Sequence, residues 1–490
     1  MGAALALGPG FWERALATPA APAQPGESPY GPLQPPDANG LELPAGFTSR
    51  IVAASLLPVE GTSHIWHVFP DGGACVPTDD GGWIYVSNSE NPPPADVPVL
   101  TGLLPLVGLG GVGAIRFAAD GTVVDAYPIL TGSVSNCAGG LTPWGTWLSC
   151  EEWEETLGPY AAGKVWECDP FGGPPVDRPA LGRFKHEMAA VDPDRHHVYL
   201  SEDLPDGLLY RYTPPAGVWG SGQALEGGRM EAMAVGAGGA VTWLPVANVG
   251  APTAPLRASV PGAATFAGGE GLIYDAGRVY LTTKGDDRVW VLDVARQTMS
   301  VLYDAAEFGA PVLNGVDNIA VTSAHDLYVA EDGGNLEVCI ITPDLTVATV
   351  ARMTGPQHGV DNGTPIPTIS EVTGLAFSPD GNRLYFNSER GNGLVPIGPG
   401  PGILYEVIGP FRGGTLAAGP LAAPPTPTPS PPAAPAPPPA TPRPGSGRLP
   451  ATGADTSLTP AALAAAAAGA LWRFRRRTDA PASDESSRPG

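Results

Sequence analysis

The sequence predicts an all-β protein, a six-bladed β-propeller, on three observations. One phrase recurs six times, turn-forming residues abound, and charged residues are few. The phrase is an acidic or thiol residue, a short strand, a Pro/Asp/Gly turn and a second strand running into polar residues. Its copies begin at Asp71, Cys137, Glu187, Glu270, Asp317 and Glu371, and 10 to 14 positions later each reaches a strand aromatic: Tyr85, Trp147, Tyr199, Tyr280, Tyr328 or Tyr385. These aromatics lie 48 to 81 residues apart, room for a four-stranded sheet each, and such repeats close radially. The 66 glycines and 59 prolines, with 15% charged residues, favour tight turns between short strands. A pair of packed β-sandwiches is the competing architecture.

Runs such as Val198-Tyr199-Leu200 and Arg383-Leu384-Tyr385-Phe386 are mostly apolar on both faces, as strands sandwiched between neighbouring blades require. The stretch from Gly46 to Ala53 is expected to lend a strand to the last blade, beside Ile403–Val407, and so close the ring. The folded body then runs from 41 to 412.

The two ends read as addresses. Residues 1–17 are apolar and finish on Ala15-Leu16-Ala17, the remnant of a signal peptide lacking its basic region; an upstream start codon with a basic, twin-arginine leader would complete it. Residues 18–40 read as linker. Residues 413–448 are a Pro/Ala-rich stalk, which can neither pair as strands nor pack a core. Residues 449–477 open with Leu449-Pro450-Ala451-Thr452-Gly453, continue through an apolar run from Leu458 to Trp472 and end on Arg473-Phe474-Arg475-Arg476-Arg477. That order resembles the sorting signal that sortases cut between Thr and Gly when linking a protein to peptidoglycan. A simple membrane anchor is the alternative, although the apolar run is short of the roughly 20 residues a spanning helix needs. The tail, 478–490, is expected to be disordered, and the protein to be exported to the cell surface, attached to wall or membrane.

The formal net charge of −23, with no basic stripe in the folded part, excludes nucleic acid as a partner. Solubility alone is one reading of that charge, and multivalent cations such as Ca²⁺ are the sharper alternative. In a propeller the inner strand of each blade starts at the mouth of the central channel, so Asp71, Cys137, Glu187, Glu270, Asp317 and Glu371 should converge. Glu90, Glu151, Glu152, Glu202, Asp203, Glu331, Asp332 and Glu389, at the ends of the second strands, should lie on the same face further out. Crowded carboxylates cannot all ionise without counter-charge. Oxygen ligands in number suit Ca²⁺, and a thiolate among them suits a softer or trivalent transition metal.

Three weaker signals are set aside or left open. Gly108, Gly110 and Gly113 spell G-x-G-x-x-G without the strand–helix unit of a dinucleotide site, and His186-Glu187 lacks the second histidine of a zincin. His186 is expected to orient Glu187 instead of binding metal. Cys150 and Cys168 are either a disulfide or a free buried pair; with five cysteines at least one thiol stays unpaired within the chain.

The segments Asn136-Cys137-Ala138-Gly139-Gly140, Pro143-Trp144-Gly145-Thr146-Trp147-Leu148-Ser149-Cys150-Glu151-Glu152 and Gly182-Arg183-Phe184-Lys185-His186-Glu187 resemble the PhoX-type alkaline phosphatases and their shorter relatives. So do Glu371-Val372-Thr373-Gly374 and Phe377-Ser378-Pro379-Asp380-Gly381, and the likeness covers about Leu43 to Arg412. It implies a six-bladed propeller, twin-arginine export, and a cofactor of two Fe³⁺ ions bridged by a cysteine and an oxo group with several Ca²⁺ ions, acting on a small phosphorylated substrate. Carried over by motif, Cys137 is the bridging thiolate and Glu187, Glu270, Asp317 and Glu371 are carboxylate ligands, with Cys137, Glu187 and Glu270 at the reaction centre. Glu151 and Glu202 are added as metal ligands, and a monomer is expected. The larger phosphatases carry a phosphate-gripping arginine just before the acid corresponding to Glu270, where this chain has Ala267-Gly268-Gly269. Arg183 and Lys284 are the candidates to replace it. The rival functions are a non-catalytic, Ca²⁺-stabilised binding propeller and a lactonase-like Ca²⁺ propeller.

Overall fold

The computed structural model describes residues 22–91, 110–157, 160–220, 223–355, 358, 370–391 and 402–414. They form six sheets in a ring, with antiparallel blades, and a separate two-stranded hairpin of Thr156–Leu157 and Tyr160–Ala161. Blade 1 is built from Pro70–Pro77, Trp83–Ser89, Gly111–Phe117 and Val123–Thr131, and blade 2 from Asn136–Leu141, Trp147–Glu151, Val165–Cys168 and Val176–Asp177. Blade 3 takes His186–Asp192, His197–Glu202, Gly207–Thr213, Arg229–Val235 and Val241–Val246; blade 4 takes Gly269–Asp275, Arg278–Thr283, Arg288–Asp293 and Thr298–Asp304. Blade 5 is Val316–Val321, Leu327–Glu331, Glu337–Ile341 and Thr346–Met353. In blade 6, Val372–Phe377, Arg383–Ser388 and Ile403–Ile408 are joined by Thr48–Ala54.

That last pairing closes the ring as the sequence predicts: the N-terminal strand lies antiparallel to Ile403–Ile408, with Thr48 opposite Ile408 and Ala54 opposite Ile403. The first strand of the four or five named for each blade, Val372–Phe377 in blade 6, is innermost and packs against its counterparts in the two neighbouring blades around the axis. The six strand aromatics are buried between blades, where Tyr85, Tyr199, Tyr328 and Tyr385 expose no surface. Fully burying such rings contributes about 1.5–3 kcal/mol each.

Residues 22–40 differ from the expected linker, because they pack on the outer edge of blade 5. Gln24–Pro25 run parallel to Thr346–Val347, Leu41–Glu42 pair with Arg352 and Met353, and Ala23 is fully buried. Tyr30 fastens the segment: its hydroxyl is 2.6 Å from that of Tyr328, and its ring packs edge-on against Phe47 and Phe411. The proline and glycine content that suggested a linker leaves few ladder hydrogen bonds: the N–H groups of Ala23, Gln24 and Gly26 donate to the carbonyls of Leu302, Leu345 and Val347, and the Tyr30 side chain adds to them.

Cys150 and Cys168 are free thiols; Cys150 lies opposite Val165 and Cys168 opposite Trp147 in the ladder. Gly110 and Gly113 belong to the start of a blade 1 strand and its approach. Among the described residues no helix is long and apolar enough to cross a membrane. The leader, the stalk and Leu449–Gly453 lie outside the described residues.

Candidate metal centre

Each inner strand carries a β-bulge near its start. In blade 1 Pro70 pairs with Ser89 but Gly73 with Ser87, so three residues oppose two; blades 2 to 5 repeat this at Asn136/Gly139, His186/Ala189, Gly269/Leu272 and Val316/Ile319. The residue set free from the ladder is the phrase-initial one, and a bulge re-aims its side chain towards the axis. Second-strand side chains then fasten the bulges of adjacent blades. Asn88 donates to the carbonyls of Cys137 and Ala138, Ser201 to Glu270, Thr282 to Asp317 and Asn387 to Asp71. Gly271 must be small here: a Cβ would stand 2.5 Å from the Asp317 carbonyl oxygen.

Blade 6 breaks the expected equivalence. Its bulge falls between Thr373 and Ala376, so Thr373 occupies the place of Asp71, Cys137, Glu187, Glu270 and Asp317, and Glu371 stands two residues earlier. The backbone fixes this register. In every blade the residue after the second strand donates its N–H to the residue before the inner strand, as in Glu90 to Phe69, Glu152 to Ser135, Asp203 to Lys185, Lys284 to Gly268, Asp332 to Gly315 and Glu389 to Glu371. Glu371 thus corresponds to Lys185, not to Glu187. Its carboxylate still reaches the channel from one step higher.

Two rings result. The inner one holds Asp71, Cys137, Glu187, Glu270 and Asp317, all buried. The outer one holds Glu90, Glu152, Asp203, Lys284, Asp332 and Glu389, joined by Lys185, Glu371 and Arg390. Ligand atoms gather within 4.8 Å of one another in Cys137, Glu152 and Glu187, in Glu187, Glu270 and Asp317, and in Asp71, Glu90, Glu371 and Glu389. The Cys137 thiol donates to Glu187 Oε1 at 3.0 Å and lies 3.5 Å from Asp71 Oδ2, while Glu187 Oε2 is buried with no partner among the described residues.

Burial, then the neighbouring acids, pushes Asp71, Glu187 and Asp317 well above the usual carboxylate range. Glu270 is raised likewise, by burial first and then Asp203. Two acids go the other way although burial opposes it: Lys284 and Lys185 hold Asp203 down, and Arg390 with hydrogen bonds from Glu389 and Asp332 holds Glu371 down. Carboxylates outnumber the cations Lys185, Lys284 and Arg390. Such a donor set, with an unpartnered buried carboxylate oxygen and a thiol beside it, fits bound cations.

Several predicted residues lie elsewhere. Glu151 and Glu202 immediately precede Glu152 and Asp203, and successive strand side chains point to opposite faces. Glu151 accepts from Tyr160, from Trp166 at 2.9 Å and from the Lys164 N–H at 3.2 Å; Glu202 accepts from the Leu208 N–H, Tyr210 and Arg257, each at 3.0 Å. Glu331 does the same in blade 5 with the Asn314 and Glu337 N–H groups. Glu151 and Glu202 are braces within their blades, outside the groups that could hold a cation, whereas Glu331 gathers with Glu337 and Cys339 in a separate buried group within blade 5 and away from the rings. Arg183 donates twice to the Ala162 carbonyl, at 3.0 and 2.7 Å, and does not join the rings. His186 also turns away, with Nε2 3.2 Å from the Gly182 carbonyl and its ring against Phe184, so it does not orient Glu187 by a hydrogen bond. Lys284 does stand in the channel, 2.6 Å from Glu270.

Lys185 and Arg390 are channel cations that the repeated sequence phrase does not single out. Lys185 lies 2.6 Å from Glu152 and 3.0 Å from Asp203, and Arg390 lies 2.6 Å from Glu371 and 2.9 Å from Glu389. Arg390 directly follows the strand-end acid Glu389, which is the signal that could have found it, whereas Lys185 adjoins Phe184 and His186 and carries no such signal.

Residues 110–300 match the family profile of alkaline phosphatase PhoX. The PhoX-like stretch contains Cys137, Glu152, Glu187, Asp203, Glu270 and Lys284. The fold is similar to that of Pseudomonas fluorescens PhoX, solved with vanadate as a transition state analogue, at 18% identity and a TM-score of 0.60 over 78% of this chain and 99% of that one. A gluconolactonase from Xanthomonas campestris aligns over 78% of this chain and 99% of its own at 13% identity, with a TM-score of 0.39, too remote to bear on function. No curated protein matches the chain.

Proposed function

We propose that the channel is the metal-dependent centre of an exported phosphatase acting on phosphate monoesters. The observation that carries this reading is that the thiol and three of the carboxylates gathered in the channel fall inside the PhoX-like stretch. In this reading Cys137, Glu187, Glu270 and Asp317 hold the thiolate-bound ions, read as Fe³⁺ from the resemblance, and Asp71, Glu90, Glu371 and Glu389 offer an all-oxygen seat suited to Ca²⁺. Glu152 joins the first set. When bound, such ions supply positive charge against a phosphoryl group and its attacking oxygen.

The chain's own part is to hold these donors rigidly. The bulges and the blade-to-blade hydrogen bonds fix the inner ring before any ion arrives, so little reorganisation accompanies binding. Lys185, Lys284 and Arg390 line the wetter, upper level that an incoming phosphate would meet first. Elemental analysis of the purified protein with a phosphomonoesterase assay on p-nitrophenyl phosphate tests the reading. Metal-free protein under saturating Ca²⁺ and Fe³⁺, or metal-loaded protein with no turnover, would count against it.

A second reading has its own observation. Where the larger phosphatases have a gripping arginine, Gly268 and Gly269 here bring only backbone, and the channel cations all have carboxylate partners. A calcium-stabilised surface propeller without turnover would have this arrangement, and the same assay separates the two. The sorting-signal order at 449–477 supports attachment to the cell wall in either case.

A further inference from the structure

We propose that Lys284 is a tethered cation: its ammonium takes the place of a divalent ion in the outer ring. The backbone register supplies the argument. The residue following the second strand is Glu90, Glu152, Asp203, Asp332 and Glu389 in blades 1, 2, 3, 5 and 6, and lysine only in blade 4. Its position is acidic in every blade but its own.

The surroundings are those of a bound cation. Nζ lies 2.6 Å from Glu270 Oε1 and 3.7 Å from both Asp203 Oδ2 and Asp332 Oδ2. Those acids come from three successive blades, so the ammonium sits across two seams, as an ion shared between blades would. An ammonium has three donors and a compact charge, and it matches three carboxylate oxygens with no dehydration beyond its own. Asp203 and Glu270 are 9% exposed or less, so without a counter-charge they would repel one another in a largely desolvated space. Lys185 on the far side of Asp203, at 3.0 Å, continues the same pattern towards blade 2. A lysine bound this way is not a free hand for substrate phosphate; it sets how many ions the channel needs.

This inference rests on the channel binding cations, and the experiment keeps the two apart. Full-length wild type, Lys284→Ala and Lys284→Arg are dialysed against saturating Ca²⁺, and ions per chain are counted by mass spectrometry and by isothermal titration. Melting temperatures are recorded in Ca²⁺ and in excess chelator. Lys284→Ala should bind one ion more than wild type and melt well below wild type in chelator, with most of the loss recovered in Ca²⁺. Lys284→Arg should keep the wild-type count. Adding Asp332→Asn to Lys284→Ala should remove the extra ion.

An unchanged or lower count in Lys284→Ala, with a raised KM for p-nitrophenyl phosphate, would overturn the proposal in favour of a substrate clamp. If Lys284→Ala folds only when purified in Ca²⁺, the count is made on that material, and Lys284→Met serves in chelator. The methionine fills the space without charge, so it should melt lower than wild type and gain no ion; an unaltered melt would also overturn the proposal. Should wild type bind no ion while Lys284→Ala binds one, the tethered cation stands and the metal-dependent reading falls.

Discussion

Cys137 donates its thiol hydrogen to Glu187 across 3.0 Å, and that contact joins blade 2 to blade 3 in the inner ring. Burial, then the charges of Asp71 and Glu187, pushes the thiol far above its ordinary value. Without a cation it stays protonated. A bound metal reverses that balance by taking the thiolate as a ligand.

Cys137→Ser should therefore abolish iron binding and visible colour and lower phosphomonoesterase activity by roughly 100-fold or more. The fold should survive, since the blades pack through Tyr85, Trp147 and their equivalents and not through this side chain. Absorption spectra, iron content and turnover of the two proteins check it. A serine variant as active as wild type would remove the thiol from the centre.

The acid ring makes stability depend on pH and metal together. Burial, then Glu371, pushes Asp332 up to about 7, from an ordinary value near 3.8. A group raised in the fold favours the folded state while protonated, and that contribution is lost as pH rises through its folded value. Chelated protein should thus lose stability between about pH 4 and 7. Ca²⁺ should restore it increasingly towards the alkaline end. Melting temperatures across that range, with and without chelator, test this; curves that coincide at pH 8 would contradict it.

Ring closure depends on a buried acid. Glu406 in blade 6 is fully buried and lies 2.9 Å from Arg50 of the closing strand and 2.9 Å from Arg383, and it accepts from Tyr385 at 2.5 Å. Glu406→Ala should lower unfolding free energy by about 3–5 kcal/mol, because it strands Arg383 as well as breaking the pair. Arg50 is 38% exposed, so Arg50→Ala should cost only about 1 kcal/mol. Denaturant titrations of the two variants give the comparison.

The N-terminal segment should be protease-resistant through its tyrosine latch. The Tyr30 hydroxyl also accepts from the Arg412 N–H at 3.0 Å, so both ends of the body meet beside Tyr328. Tyr328→Phe should cost about 1 kcal/mol. Tyr30→Ala should speed limited proteolysis within residues 22–40, and equal cleavage rates would show that the latch does not hold the segment.

Wall-extracted protein should end at Thr452, and substitution of Leu449 or Pro450 should release it or leave it with the membrane. Peptide mass spectrometry reads the C-terminus directly. Residues beyond Gly453 on wall-linked protein would end the sortase reading.

The sequence alone determined the blade number, the strand that closes the ring and the thiol and acids of the inner ring, because each rests on a local pattern repeated around one axis. It could not tell Glu151 from Glu152 or Glu202 from Asp203. Adjacent strand residues face opposite ways, and only the pairing of Asn136 with Glu151 and His186 with Glu202 says which acid meets the channel. Glu371 shows the same limit, since a shift of two residues keeps a side chain on its face but changes its depth, and the bulge at Thr373 is what sets it. The linker reading of residues 22–40 failed because their partners on blade 5 lie some 300 residues away in the chain. Lys284 reads in sequence as a candidate for gripping phosphate; the closure of six blades surrounds it with Asp203, Glu270 and Asp332, and distance in space, not in sequence, decides its charge partners.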